Sequence, residues 1–232
     1  MRSKFLPFEI LFEDRDLIVI DKPAGLLSTH TALRGRARRE GQLTAENLLN
    51  AYVRKGQRRS AKRVFLVHRL DRETSGVMMF VKNPALAEAV RERWNALTEK
   101  TYHARVEGVM AAEKGVFESF LDEDDKTFRV RSVSEGRRGK KAKTLWRRVR
   151  VDGGETLVEA SLKSGRKHQI RVHFAEAGHP VVGDRRYGHG KGRELCLRAV
   201  RLKFTHPFSS ERFVFEVPDK PFFTRSSKEE KQ

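Results

Sequence analysis

Residues 64–83 read VFLVHRLDRETSGVMMFVKN. Two short apolar runs, residues 64–67 and 77–81, flank a polar centre rich in turn formers. Apolar runs of this length without polar alternation are strands covered on both faces, so the centre is a loop held between two buried strands. Asp71 lies in that loop between Arg69 and Arg72. Neighbouring guanidinium groups favour an ionised carboxylate, and a carboxylate so placed serves either as a nucleophile or base, or as the anion of a structural turn. Thr74 and Ser75 offer hydroxyls to cap the turn, and Gly76 opens backbone angles closed to other residues.

Upstream, DLIVIDKPAG (16–25) is a second buried strand, with Leu17 to Ile20 apolar, ending in a turn at Lys22-Pro23-Ala24-Gly25. From about 31 to 63 the chain becomes basic, with ten Lys or Arg between Arg34 and Arg63 against Glu40 and Glu46. Within it, TAENLLNAYVRK predicts a short helix capped by Thr44, with Leu48, Leu49, Tyr52 and Val53 on one face. Downstream, ALAEAVRERWNALTEK predicts one amphipathic helix bearing Leu86, Val90, Trp94 and Leu97.

Alternating segments follow: TYHARVEG, GVFESFLD, TFRVRSV, TLWRRVRV and TLVEASLK. They predict an antiparallel or mixed sheet. HQIRVHFAEAG is a helix ended by Gly178, and GHPVVGDRRYG is a loop. LCLRAVRLKFTHP and ERFVFEVP form a last hairpin-like pair. The pattern is α+β: a central mixed, mostly antiparallel sheet flanked by helices and loops. Residues 1–9 form an N-terminal extension and 10–218 one domain carrying the basic insert at about 31–63. Residues 219–232 form a C-terminal tail expected to be disordered.

Forty-nine Lys plus Arg stand against 31 Asp plus Glu, a formal net charge of +18, with a sequence pI near 10.4. Self-repulsion on that scale points to a polyanionic partner, nucleic acid first. A second basic stretch, Arg137 to Arg150, carries eight cations and no carboxylate. The single Cys196 excludes an intramolecular disulfide and any site built on several thiolates, which fits a reducing, cytoplasmic compartment. The start has no signal-peptide pattern, and no run is long enough to cross a membrane. His168, His173 and His179 are close in sequence, but their spacing matches no common metal set. Asp122, Glu123, Asp124 and Asp125 are consecutive and diverge along the chain, which argues against a metal-dependent nuclease.

The block His68-Arg69-Leu70-Asp71-Arg72-Glu73-Thr74-Ser75-Gly76 resembles the signature of the RluA-type pseudouridine synthase family. Asp21-Lys22-Pro23-Ala24-Gly25, Lys100-Thr101-Tyr102, Gly165 to His173, and Gly178-His179-Pro180 with Gly183-Asp184 resemble the family's other blocks, in the same order. The resemblance implies the pseudouridine synthase fold and an enzyme that isomerises uridine to pseudouridine in large-subunit ribosomal RNA or transfer RNA after flipping the base. No cofactor, metal or obligatory protein partner is implied; the working unit is expected to be a monomer without a separate N-terminal RNA-binding domain.

Position by position, the resemblance implies that Asp71 is the catalytic carboxylate, Arg171 its guanidinium partner and Tyr102 the aromatic that stacks on the target base. Read from the residues alone, Arg171 could instead bind phosphate, and Tyr102 reads first as core packing on a strand. Arg69 either enters the gap left by the flipped nucleotide or pairs with a neighbouring carboxylate. Lys100, Lys167 and His168 are expected at the RNA, and Leu197 along the base pocket. Arg198 stands where many relatives have His, so no role is carried over to it. An RNA-binding or assembly factor lacking activity is the rival reading, and the intact Asp71, Tyr102 and Arg171 argue against it.

Overall fold

The computed structural model describes residues 6–30, 43–57, 59–190 and 194–219. The chain divides into two compact units, one made of residues 1–98 with 203–217 and the other of 99–202 with 218–232.

In the first unit, β2 (Leu17–Lys22) pairs antiparallel along its whole length with β4 (Ser75–Val81), from Leu17 opposite Val81 to Lys22 opposite Gly76. Every residue of β4 is buried, as a strand without polar alternation requires. The sequence gives no comparable signal for β1 (Glu9–Glu13), an edge strand that pairs with β2 and crosses the expected boundary of the extension at residue 9. The run Val64–Val67 is a shorter strand than expected. Only β3 (Phe65–Leu66) pairs with β4, opposite Val81 and Phe80. The next ladder position is lost because the Met79 amide donates to His68 Nε2 at 2.9 Å, and a side chain so placed ends the strand.

Helix α1 (Ala45–Arg54) is capped by Thr44, whose hydroxyl accepts from the Asn47 amide at 3.1 Å. Its buried face is Ala45 and Leu49; Leu48, Tyr52 and Val53 are only half-buried, so the predicted stripe divides between core and surface. The long helix expected after Pro84 is broken. Helix α2 (Pro84–Glu92) starts at the Asn83 cap and ends where Arg93 leaves helical geometry (φ −113°), the short α3 (Trp94–Leu97) follows, and Thr98 already begins a strand. Tertiary packing overrides propensity here: Leu86, Ala87 and Val90 bury against β3 and β4, while Trp94 turns to stack on His68 at 4.4 Å.

The second unit is an antiparallel sheet in the order β5 (Thr98–Glu107), β9 (Glu155–Leu162), β8 (Lys140–Asp152), β6 (Lys114–Glu123), β7 (Val130–Val133). Helix α4 (Gln169–Glu176) packs on β7 and β8, and its Phe174 meets Phe117 edge to face at 5.1 Å. The chain returns to the first unit within β10 (Leu197–Thr205), and residues 203–217 of that unit hold the turn through His206 and Ser210 and β11 (Arg212–Glu216).

The second basic stretch is answered across this sheet. Lys141 and Lys143 both reach Glu118 (2.6 and 2.9 Å) and hold its carboxyl down at about 2, Arg147 binds Glu159 through two bonds, and Arg138 binds Asp125 at 2.9 Å. No helix among the described residues is long and apolar enough to cross a membrane.

Candidate active site

In the first unit the Asp71 loop is tied down on both sides by the turn that ends β2. On one side the Ser28 hydroxyl donates to the Leu70 carbonyl (2.7 Å) and accepts from the Leu70 amide (3.1 Å), satisfying both backbone groups of the residue before Asp71. On the other, the Gly25 amide donates to the Arg72 carbonyl at 2.8 Å and Arg72 Nε returns a bond to the Gly25 carbonyl at 3.1 Å. Lys22, 0 % exposed, spreads its ammonium over the carbonyls of Pro23, Leu26 and Arg72 at 2.9, 2.8 and 3.3 Å. A buried cation needs such acceptors, and these three join the turn to the loop. Gly25 and Gly76 have φ of +86° and +114°, the region only glycine enters without strain.

Asp71 is half-buried, and its carbonyl accepts from the Thr74 amide at 3.2 Å, so the turn closes through backbone. The Arg72 guanidinium is directed to Gly25, and Arg69 is exposed. What the loop provides is a carboxylate whose two neighbours along the chain are immobilised, an arrangement suited to reaction at a defined point.

In the second unit Lys100 and Tyr102 lie on the inward face of β5 with Ala104 and Val106; Tyr102 is 8 % exposed. Burial, reinforced by the charge of Lys163, lowers the Lys100 ammonium to about 8. Leu197 is buried at the start of β10. Arg198, where the sequence departs from the resemblance, is also buried, and its Nε donates to the Pro218 carbonyl at 3.0 Å.

Arg171 lies on α4 and is held within its own unit by Asp184, with Nε to Oδ2 at 2.7 Å and Nη2 to Oδ1 at 2.8 Å. Asp184 is 0 % exposed and also accepts the amides of Arg186 (2.8 Å) and Tyr187 (3.0 Å). Burial would raise its carboxyl, but the Arg171 bonds, the Arg171 charge and the two amides outweigh burial and hold it below the usual range. The Tyr187 ring lies 5.4 Å from the guanidinium, completing its support.

Tyr187 also orients His168. The Val130 amide donates to the Tyr187 hydroxyl (3.0 Å), which leaves the phenol proton for His168 Nδ1 at 2.8 Å. Burial, then the charges of Arg171, Lys167 and Arg186, push His168 down to about 3, so it is a neutral imidazole. It opens α4 in the left-handed conformation (φ +54°). Lys167 next to it pairs with Glu123. His173 bonds Thr144 (2.9 Å) and Ser119 (3.1 Å), and His179 bonds the Glu107 carbonyl (2.9 Å). Among the described residues no three His, Cys, Asp or Glu side chains are grouped to hold a metal ion.

Lys167, His168 and Arg171 thus stand together at the start of α4, Lys100 and Tyr102 share a face of β5, and Asp71 and Arg69 belong to the first unit. Sequence reading passes over Ser28 and Tyr187, and assigns no task to Lys22 or Asp184. A lysine ending a four-residue apolar strand was the signal for Lys22. Nothing in sequence marks Ser28, whose partner is 42 positions away.

Residues 16–176 match the model of the family described as RNA pseudouridylate synthase. The chain is 35 % identical over 244 residues to an uncharacterized RNA pseudouridine synthase of Aquifex aeolicus, covering 96 % of this chain and 73 % of that protein. It is 34 % identical to the dual-specificity RNA pseudouridine synthase RluA of Vibrio vulnificus, covering 87 % of this chain and 79 % of the relative. Among solved structures, human RNA pseudouridylate synthase domain containing 4 superposes with a TM-score of 0.75 at 24 % identity, over 93 % of this chain and 90 % of that one, a likeness of fold. The chain therefore belongs to the RNA pseudouridylate synthase family, as a pseudouridine synthase of the RluA type.

Proposed function

We propose that the enzyme converts specific uridines of large-subunit ribosomal RNA or transfer RNA to pseudouridine, with Asp71 as the catalytic carboxylate acting on a base flipped out of its stack. The reaction is an isomerisation. The N1–C1′ bond breaks, the uracil turns in place, a C5–C1′ bond forms, the C5 proton leaves and N1 gains one. The carboxylate enters by adding to uracil C6 or ribose C1′, or by removing the C2′ proton; each route needs Asp71 ionised and donors for the negative charge that develops on the detached base. Arg171 is assigned to hold Asp71 ionised. Tyr102 is assigned to stack on the uracil, since a ring face fixes the plane of a base while leaving it free to rotate. Arg69 is assigned to the gap left by the base, and Lys100, Lys167, His168 and Leu197 to the surrounding RNA and base pocket.

The observation that carries this reading is the immobilised Asp71 loop, braced at Leu70 by Ser28 and at Arg72 by Gly25 and Lys22. Bracing a solvent-reachable carboxylate from both sides restricts it to one approach, which a turn aspartate in a surface ion pair does not need. Asp71→Asn is expected to abolish tritium release from RNA labelled at uridine C5 while RNA affinity stays within about tenfold, because the change touches no phosphate contact. Turnover retained by this variant refutes the assignment, and pseudouridine mapping in ribosomal and transfer RNA of a deletion strain identifies the substrate.

A further inference from the structure

The β2–β4 ladder has two ends. The Asp71 loop and the Gly25 turn lie beyond Lys22 and Gly76; Arg15 and Lys82 lie beyond Leu17 and Val81. Five residue steps separate the ends, roughly 17 Å of strand. At the end away from Asp71 the first unit carries a cleft of about 890 Å3.

One wall of the cleft is a face of α1. Leu48, Ala51, Tyr52 and Lys55 are spaced at three and four residues and line it together, beside the buried Ala45 and Leu49. This face offers an apolar and aromatic floor ending in a cation. Lys62 and Arg63, on the segment tied to α1 by the Arg54 bond to the Lys62 carbonyl, line it as well. The lone carboxylate among the lining residues, Glu13, is taken up by Lys82 (3.1 Å) and the Tyr52 hydroxyl (2.9 Å). Among the described residues Lys55, Lys62 and Arg63 meet no carboxylate at ion-pair distance, in contrast to the cations of β8, which Glu118 and Glu159 neutralise.

We propose that this cleft is an RNA exosite. Lys55, Lys62 and Arg63 hold phosphates of the strand flanking the target uridine, and an unstacked base lies on Leu48, Ala51 and Tyr52. Charge complementarity selects a polyanion, and an apolar floor beside the cations selects one with exposed π-faces, which is single-stranded nucleic acid. The inference deepens the proposed function, because the strand held there is the substrate's own.

The test uses the full-length protein and a fluorescein-labelled 24-nucleotide oligouridine, with affinity followed by anisotropy between 50 and 300 mM salt. The probe variant is Lys55→Asn, Lys62→Gln and Arg63→Gln together, Asn being tolerated at the left-handed Lys55 position. The control is Lys141→Gln, Lys143→Gln and Arg147→Gln, with the same loss of charge. At low salt the probe variant is expected to bind about tenfold or more weakly, and its plot of log affinity against log salt to flatten by about 2, three phosphates at roughly 0.7 each. Ala51→Glu, a good helix former on an exposed position, is expected to weaken binding by itself. On bulk RNA the probe variant is expected to raise KM with kcat unchanged, because the chemistry lies at the other end of the ladder.

Equal losses in probe and control overturn the exosite in favour of a general field. Unchanged affinity with a lowered Tm overturns it in favour of a packing role. A wild-type protein that releases no tritium from any RNA, with the probe variant's flattened slope intact, upholds the cleft and rejects the role of Asp71 instead.

Discussion

Asp184→Asn separates the scaffold of the site from its chemistry. The substitution keeps the shape of the side chain and removes the charge that holds Arg171. Asp184 accepts four donors, three of them on Oδ1 and Arg171 Nε on Oδ2. With the amide oxygen kept at the three, its NH2 group must face the Nε–H, donor against donor. Breaking a buried ion pair costs about 3–5 kcal/mol, and three retained contacts place this case near 3 kcal/mol. At a urea dependence of roughly 2 kcal/mol per molar the midpoint falls by about 1.5 M.

The acid limb changes too. A carboxyl held below its ordinary value stabilises the fold above about pH 4, and that contribution is lost as the pH falls through its depressed folded value, so the Asn variant is expected to lose less stability on acidification than the wild type. Because Arg171 loses its brace, kcat for tritium release is expected to fall about a hundredfold with KM little changed, as small misplacements of catalytic groups do. The double variant Arg171→Met/Asp184→Asn removes the donor that faces the Asn amide and keeps the acceptor for the Arg186 and Tyr187 amides, so it is expected to recover at least half of the lost stability but none of the activity. An Asn variant with the wild-type urea midpoint, or a double variant that turns over, refutes the reasoning.

Two further outcomes follow from particular contacts. Ser28→Ala removes the partner of both Leu70 backbone groups and is expected to cost about 1–3 kcal/mol and to lower kcat by about ten- to a hundredfold in single-turnover assays, so wild-type kcat would show that the Leu70 clamp does not position Asp71. Lys100→Met removes a buried ammonium lowered to about 8, and is expected to stabilise the protein at pH 7 by about 2 kcal/mol. With the folded value below the unfolded one, the wild type gains stability as pH rises from about 8 to about 10.5, a rise the Met variant lacks in urea melts. A variant less stable than the wild type at pH 7 would contradict this.

How far the chain can be read without coordinates depends on the range of the interactions. Strands β2 and β4, the Thr44 cap and the alternating strands of the second unit follow from local pattern, because apolar runs and side-chain capping act over a few residues. The break between α2 and α3 was not legible, since the helix-forming sequence continues and packing of Trp94 on His68 decides against it. The same holds for β3, cut short by an imidazole rather than by its own residues.

At the site, sequence alone singled out Asp71 and, through ordered motif blocks, Tyr102 and Arg171. It showed 137–150 as a second basic stretch with no carboxylate of its own. The tertiary structure set Glu118, Glu159 and Asp125 against the cations of this stretch, and left Lys55, Lys62 and Arg63 around a cleft that no sequence stretch displays. It also decided that Asp184 holds Arg171 in its unit, that Tyr187 keeps His168 oriented, and that Ser28 fastens the Asp71 loop. Sequence determines which groups exist and their local backbone; which charge meets which depends on chain segments brought together from tens of residues apart, and Coulomb and hydrogen-bond energies act on that distance in space alone.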